Sequence, residues 1–342
     1  MTEINKRPKI GVFGHYGNQN LGDEAIIEAV IKNLREGIDN CEIVGLSINP
    51  FDTRDRYQVD AFPIRYRQDF FTHGRNYTPP APFEKNSKKI DEQVHTVPEN
   101  KNLKQTLKSI PVLGFALKAA AHLVDLSKAL KDELDFLRHA KAYLKDIDLL
   151  LITGSNQFLD NFGGAWGFPY TLLKWTLLAK ANHTKVAYIS VGAGPLVLPL
   201  SFKMLNIALK KADYVSYRDQ GSKSLVESKI SIDAPVYPDI AHSLGIQAGK
   251  RIKTPEDMLT VAINPMPVYD SRYWYVPNEA KFQAYVSKVT KLSITALQQG
   301  YKLDLFSTQT KDENVVDDIM TKLSKHADFN TWRTQIKISK NS

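Results

Sequence analysis

Apolar positions fall into short uninterrupted runs separated by segments of helical period. Ile10-Gly11-Val12-Phe13 is the first run and reads as a buried strand. Residues 25–34 follow with apolar residues at helical spacing, then 42–47 as a second strand and 61–64 as a short third one. Residues 52–57 read as a polar connection. Residues 67–102 hold Pro79, Pro80, Pro82 and Pro98 with little periodicity, which predicts a long loop or partly disordered insertion. Residues 103–146 are helical in composition. Within them 110–124 is the most apolar long run in the chain, among Lys104, Lys108, Lys118, Lys128 and Lys131. Strands are then predicted at 148–152, 185–191 and 214–219, with helices at 169–181, 199–211 and 220–227. Residues 245–258 read as a linker. The pattern restarts with a strand at 259–264, a helix at 279–299, a strand at 303–307, a helix at 312–326, and room for one more strand in 334–342.

Strand alternating with helix predicts an α/β protein built on parallel sheets. The expected organisation is a first Rossmann-like domain over 1–245 with a helical insertion at about 67–146, a linker at 246–258, and a second Rossmann-like domain over 259–342. That second unit has only about 85 residues, thin for a doubly wound domain, so it is expected to be incomplete and the chain to stop early. In parallel sheets ligands bind beyond the carboxyl ends of the strands. Five loops with unusual residues follow strands: 14–24, 153–167, 192–195, 218–222 and 238–243.

Composition narrows the class. The 342 residues are 43% hydrophobic and 24% charged, a soluble globular balance. Net charge is +8, but there is no Arg/Lys run or aromatic-basic motif, which argues against nucleic acid as a partner. The single cysteine, Cys41, excludes a disulfide within the chain and points to a reducing compartment. The polar N-terminus lacks a signal-peptide core, and no apolar segment reaches a membrane span of ~18–20 residues. The expected location is the cytoplasm. Residues 103–131 suggest either a helix packed on its own domain or a basic amphipathic surface peripheral to the inner membrane face. No metal-ligand spacing stands out, so no metal is expected.

The opening loop, residues 14–24, runs from strand to helix and carries Gly14, Gly17 and Gly22. Glycines let backbone amides approach a ligand, and a helix N-terminus offers N–H groups to an anion. Asp23 and Glu24 in the first turn either cap the helix and complement its dipole, or one of them also handles a proton. Arg218, at a strand end, suits bidentate capture of phosphate or carboxylate, or pairs locally with Asp219. His15 reads as a solvated loop residue or a proton-transfer group. His242, two residues after Pro238-Asp239-Ile240, has the chemistry for proton transfer near neutrality, with Asp239 orienting it or capping the next turn.

These loops together resemble the polysaccharide pyruvyl transferase family. The resemblance rests on Gly17-Asn18-x-x-Leu21-Gly22-Asp23-Glu24-Ala25, supported by Val191-Gly192-Ala193-Gly194-Pro195, by Val215-Ser216-Tyr217-Arg218-Asp219-x-x-Ser222 and by Pro238-Asp239-x-Ala241. It covers roughly residues 9–310 outside the insertion. It implies transfer of a pyruvyl group from phosphoenolpyruvate onto two hydroxyls of a sugar in an exopolysaccharide or other cell-surface glycan, or its lipid-linked precursor. The product is a ketal, and no cofactor is needed beyond the donor. It also implies a fold similar to the B-type glycosyltransferases, with the site in the cleft between two domains. On that reading Asp23, Glu24, Asp239 and His242 are the candidate acids and bases. Gly17, Asn18, Gly22, Gly154, Ser155, Asn156, Gly192, Gly194 and Arg218 are the candidate substrate-binding residues.

Two departures keep other readings open. Gly154-Ser155-Asn156 stands where the family usually has a glycine triplet, and the family's late Arg-x-His motif has no counterpart after residue 245. A nucleotide-sugar glycosyltransferase and a non-catalytic family member are the alternatives.

Overall fold

The computed structural model describes residues 7–17, 20–73, 111–245, 259–274 and 276–340. Two compact units are present. One comprises Met1–Ile64 with Tyr143–Ser342, the other Arg65–Ala142.

The larger unit contains two parallel sheets. The first has seven strands: β1 (Lys9–Phe13), β2 (Glu42–Ser47), β3 (Asp60–Pro63), β4 (Leu149–Ile152), β5 (Asn156–Phe158), β6 (Lys185–Ala193) and β7 (Tyr214–Tyr217). Their order is β3-β2-β1-β4-β6-β5, with β7 also on β6, and every pairing is parallel. Central strands of such a sheet are buried on both faces, so they read as unbroken apolar runs rather than as alternation. Leu150, Leu151 and Ile152 of β4 and Ile10, Val12 and Phe13 of β1 are all buried accordingly.

Helices cover this sheet by burying one stripe each. The first, α1 (Leu21–Gly37), is capped by Asn20, whose side chain accepts from the Gly22 amide at 3.0 Å, and buries Ile26, Ile27, Ala29, Val30 and Ile31. The next, α2 (Pro50–Tyr57), corrects the expected polar connection. Its charged residues Asp52, Arg54, Asp55 and Arg56 hide a helix started by Pro50 and held by the buried Phe51 and Thr53. After β4 come α5 (Phe168–Ala181), α6 (Pro199–Lys211) and α7 (Gln220–Glu227). In α5, Phe168, Leu172, Trp175 and Ala179 form the buried stripe, and the Trp175 indole donates to the Ile64 carbonyl at 2.9 Å.

The second sheet has the order β10-β9-β8, all parallel: β8 (Thr260–Ile263), β9 (Lys302–Phe306) and β10 (Ile336–Ser339). Helices α8 (Glu279–Gln298), α9 (Thr310–Leu323) and α10 (Phe329–Trp332) accompany it. Phe282, Val286, Leu303, Leu305, Val315, Ile319 and Trp332 make its core.

The smaller unit contains α3 (Gln68–His73) and most of α4, a single helix Pro111–Leu144 whose final residues Tyr143 and Leu144 are counted with the larger unit. The start of α3 corrects the predicted loop at 67–73. The rest of that loop, the linker at 246–258 and the segment 103–110 lie outside the described residues, as do the side chains of 111–126. Among the described residues, no helix is long and apolar enough to cross a membrane.

Candidate active site

A cleft of about 200 Å³ lies where strand ends of both sheets meet. His15 follows β1, Asn20 and Asp23 open α1, Asn156 starts β5, and Leu159, Asn161 and Phe162 follow it. Gly194 and Pro195 follow β6, Met266, Pro267, Tyr273 and Trp274 follow β8, and Gln309 and Lys311 follow β9. This is the edge at which parallel sheets hold ligands.

Two polar arrangements dominate. On one side His15 Nδ1 stands 3.0 Å from Asp23 Oδ2, with both side chains largely shielded. A carboxylate at Nδ1 fixes the imidazole orientation and leaves Nε2 as the atom able to exchange a proton. The His15 ring also packs on Phe162, centroids 6.0 Å apart at 17°, and meets the edge of Phe168 at 5.2 Å. On the other side Lys311 Nζ lies 4.4 Å from the Phe162 centroid and 5.3 Å from that of Tyr273. Lys311 sits in the first turn of α9, so its charge adds to the N–H groups and dipole of that helix end.

Phe162 therefore touches both the His15–Asp23 pair and Lys311. Its φ is +62°, and Gly163 and Gly164 follow at +112° and +58°. A left-handed backbone is costly for a phenylalanine, and here it keeps an aromatic ring over the cleft. Asn161 precedes it. That residue is buried, lines the cleft, and its Oδ1 has no hydrogen-bond partner among the described residues. Buried polar atoms seldom stay unpaired, so Asn161 is a ready acceptor for a hydroxyl.

The second-sheet side is braced from behind. Asp312 is fully buried, and its carboxylate accepts from the Thr308 amide and hydroxyl, both at 3.1 Å, from Asn264 Nδ2 at 3.2 Å and from Gln309 Nε2 at 3.0 Å. Asp270 receives the Trp274 amide through its carbonyl at 2.7 Å and Arg272 through its carboxylate, while Arg272 also reaches Asp318 at 2.7 Å. Those two carboxylates raise the Arg272 pKa, Asp270 foremost. One backbone hydrogen bond joins the two sides directly, from the Leu21 amide to the Thr308 carbonyl at 2.9 Å.

The residues singled out by sequence divide into three groups. Asp23, Asn156 and Gly194 line the cleft, and Asn156 Nδ2 holds the Gly194 carbonyl at 2.9 Å. Arg218 stands just behind them. A Cβ on Gly192 would come within 2.7 Å of its guanidinium and 3.0 Å of Asn156 Oδ1, so glycine there makes room for the arginine. Arg218 Nη1 is 3.5 Å from Asp239 Oδ2 and Nε is 3.6 Å from Asp219 Oδ2. The Ser222 amide, with help from Arg218, holds Asp219 below the usual carboxylate range.

The remaining residues are not among those lining the cleft, and several of them serve the fold. Glu24 is buried away from the cleft, where Oε1 accepts the Gly17 amide at 2.8 Å and Oε2 the Tyr57 hydroxyl at 2.5 Å. Burial, then Glu24 itself, raises the Tyr57 pKa and keeps that phenol a donor. Gly17 has φ +80°, and a Cβ would strike the Asn49 carbonyl at 2.6 Å. The Gly22 amide goes to the helix cap, and Gly154 packs where a Cβ would be 2.6 Å from the Ser190 carbonyl. Ser155 is buried, and its hydroxyl has no hydrogen-bond partner among the described residues. Asp239 caps the 3₁₀ turn Ile240–Leu244 through the Ala241 amide at 2.9 Å. His242 is exposed on that turn and is not among the cleft residues. Asn18 lies outside the described residues.

Sequence reasoning passed over Lys311, Gln309, Asn161, Tyr273 and Trp274. The available signal was positional: Ser307 to Lys311 is a strand-to-helix junction of the same kind as the opening loop.

No individually curated protein matches at a significant level. Among solved structures, a UDP-GlcNAc 2-epimerase from Neisseria meningitidis is 11% identical, with a TM-score of 0.46 over 97% of this chain and 72% of that one. A Listeria monocytogenes structure described as a UDP-N-acetylglucosamine 2-epimerase is 9% identical, with a TM-score of 0.46 over 98% and 69%. The ADP-heptose lipopolysaccharide heptosyltransferase II of E. coli is 10% identical, with a TM-score of 0.37 over 96% and 72%. The model of the polysaccharide pyruvyl transferase family matches residues 20–341. That span takes in α1 with Asp23, the Phe162 turn, Arg218 and Lys311, and the chain belongs to the polysaccharide pyruvyl transferase family.

Proposed function

We propose that this cleft transfers a pyruvyl group from phosphoenolpyruvate to a glycan, closing a ketal across two hydroxyls. The observation that carries the reading is the His15–Asp23 pair set across one cleft from Lys311. The donor has a phosphate and a carboxylate. Lys311 and the first turn of α9 supply the positive charge for one of them, with Arg218 behind Asn156 near the other side of the cleft. Transfer needs a proton delivered to the donor methylene carbon and one removed from the attacking sugar hydroxyl. Two C–O bonds form at the donor's C2, its bond to the phosphate oxygen breaks, and the second hydroxyl proton leaves with the phosphate. His15 Nε2, oriented by Asp23, is the group that relays these protons. Tyr273 and Trp274 offer rings for the sugar, and Asn161 Oδ1 an acceptor for one of its hydroxyls.

The test is acceptor-dependent phosphate release from phosphoenolpyruvate in the presence of glycans containing galactose, mannose or glucose. Release with acceptor, absent in His15→Ala, is expected. Release independent of acceptor, or saturable binding of a nucleotide sugar with none of phosphoenolpyruvate, would overturn the assignment.

A further inference from the structure

Residues 161–212 contain six lysines and no aspartate or glutamate. They build the Phe162 turn, α5, β6 and α6, and helices α5 and α6 pack side by side. Large apolar side chains stand exposed on this stretch: Trp166 at 68%, Val197 at 58%, with Phe162, Leu177, Leu200 and Ile207 beside them in sequence or on the same helices. An isolated exposed leucine is ordinary, whereas several within one acid-free region are not.

The pattern is sharpest on α6. Its inner face buries Ser201, Met204, Leu205, Ala208 and Leu209. Its outer face carries Leu200, Lys203, Ile207 and Lys210 at helical spacing, all exposed, so apolar and cationic residues alternate along one stripe. Lys203, Lys210 and Lys211 have no ion-pair partner among the described residues. At the head of the helix, an uncharged groove of about 350 Å³ lies between Trp166 and Leu198–Leu200. The Trp166 ring meets Tyr170 at 5.4 Å, and Lys174 Nζ lies 5.3 Å from the Tyr170 centroid.

We propose that this face, Trp166 with the outer stripe of α6, docks on an anionic lipid bilayer. Apolar side chains enter the headgroup boundary while lysines meet the lipid phosphates, the pairing that holds an amphipathic helix in an interface. Tryptophan suits that depth, with an apolar body and one polar N–H. Charge selects lipid over a neutral partner: Lys203, Lys210 and Lys211 have no ion-pair partner among the described residues, whereas Lys180 meets Asp213 just beyond the stretch and Lys174 is buried. The Phe162 turn belongs both to this region and to the cleft, so docking brings the cleft to the membrane surface. The inference is independent of the donor proposed above.

Flotation with phospholipid vesicles tests it on the intact chain. Recovery with vesicles containing phosphatidylglycerol, little with phosphatidylcholine alone, and weakening with added salt are expected. A lysine near an anionic surface is worth about fivefold in partitioning, so Lys203→Glu with Lys210→Glu lowers the partition coefficient by roughly 25-fold or more. Trp166→Ser with Leu200→Ser also releases the protein. Lys288→Glu with Lys291→Glu, the same charge change on exposed positions of α8, leaves binding intact. No recovery with anionic vesicles overturns the proposal. So does equal loss from the α8 pair, which would mean diffuse charge attraction. Self-association broken by Trp166→Ser, in a protein that ignores vesicles, would assign the face to a second copy instead.

Discussion

The imidazole Nδ1 of His15 and the carboxylate Oδ2 of Asp23 lie 3.0 Å apart across the turn that joins β1 to α1. If this pair relays protons, His15→Ala lowers kcat by roughly 10²–10⁴-fold with far less effect on the donor KM. Asp23→Asn keeps the shape and loses the charge, so it lowers kcat and displaces the pH–rate profile. Steady-state kinetics across pH separate the two variants.

Lys311 is the charge on the opposite wall, and its role is binding. A charged hydrogen bond is worth about 1.5–3 kcal/mol, so Lys311→Ala raises the donor KM or Kd by roughly 10- to 150-fold. Lys311→Arg recovers part of it. Titration with phosphoenolpyruvate, followed by calorimetry, reads the effect without turnover.

Glu24 predicts the opposite behaviour from its neighbour. Its carboxylate holds the Gly17 amide and the Tyr57 hydroxyl. Removing it leaves both donors buried, and Glu24→Ala costs about 2–4 kcal/mol of stability. Tyr57→Phe costs about 1–2 kcal/mol by the same argument. Denaturant melts detect both, while Asp23→Ala melts close to wild type.

Asp213 gives a pH signature. Lys180 at 2.8 Å, then the Val186 amide at 2.7 Å, hold its carboxyl below the ordinary 3.8. A depressed folded pKa contributes stability that is complete above 3.8 and is lost as pH falls through the lower folded value. The melting temperature of wild type therefore exceeds that of Asp213→Asn at neutral pH, and the gap closes on acidification below 3.8.

The central strands were legible because burial leaves nearly unbroken apolar runs at 10–13 in β1, 149–152 in β4 and 186–189 in β6. The family loops were legible because glycines there leave room for close neighbours, as at Gly192 beside the Arg218 guanidinium. Two adjacent acids were not separable, since successive helix positions differ by about 100°. That rotation turns Asp23 to the cleft and Glu24 to the interior. Lys311 was invisible for another reason: its neighbours are ordinary helix residues, and only the packing of one strand-to-helix junction against another gives it a role. Asn161 is similar, because an amide's missing partner is a property of the fold.

The hydrogen bond from the Leu21 amide to the Thr308 carbonyl involves no side chain. Ordinary substitution at either position leaves it in place, so sequence drift cannot easily erode this link. Proline is the exception. Leu21 is the first residue of α1, where proline is well tolerated, and Asn20 before it is already extended at φ −96° and ψ 105°. Leu21→Pro would thus delete one N–H and little else, turning a link that evolution cannot readily tune into one that an experimenter can switch off.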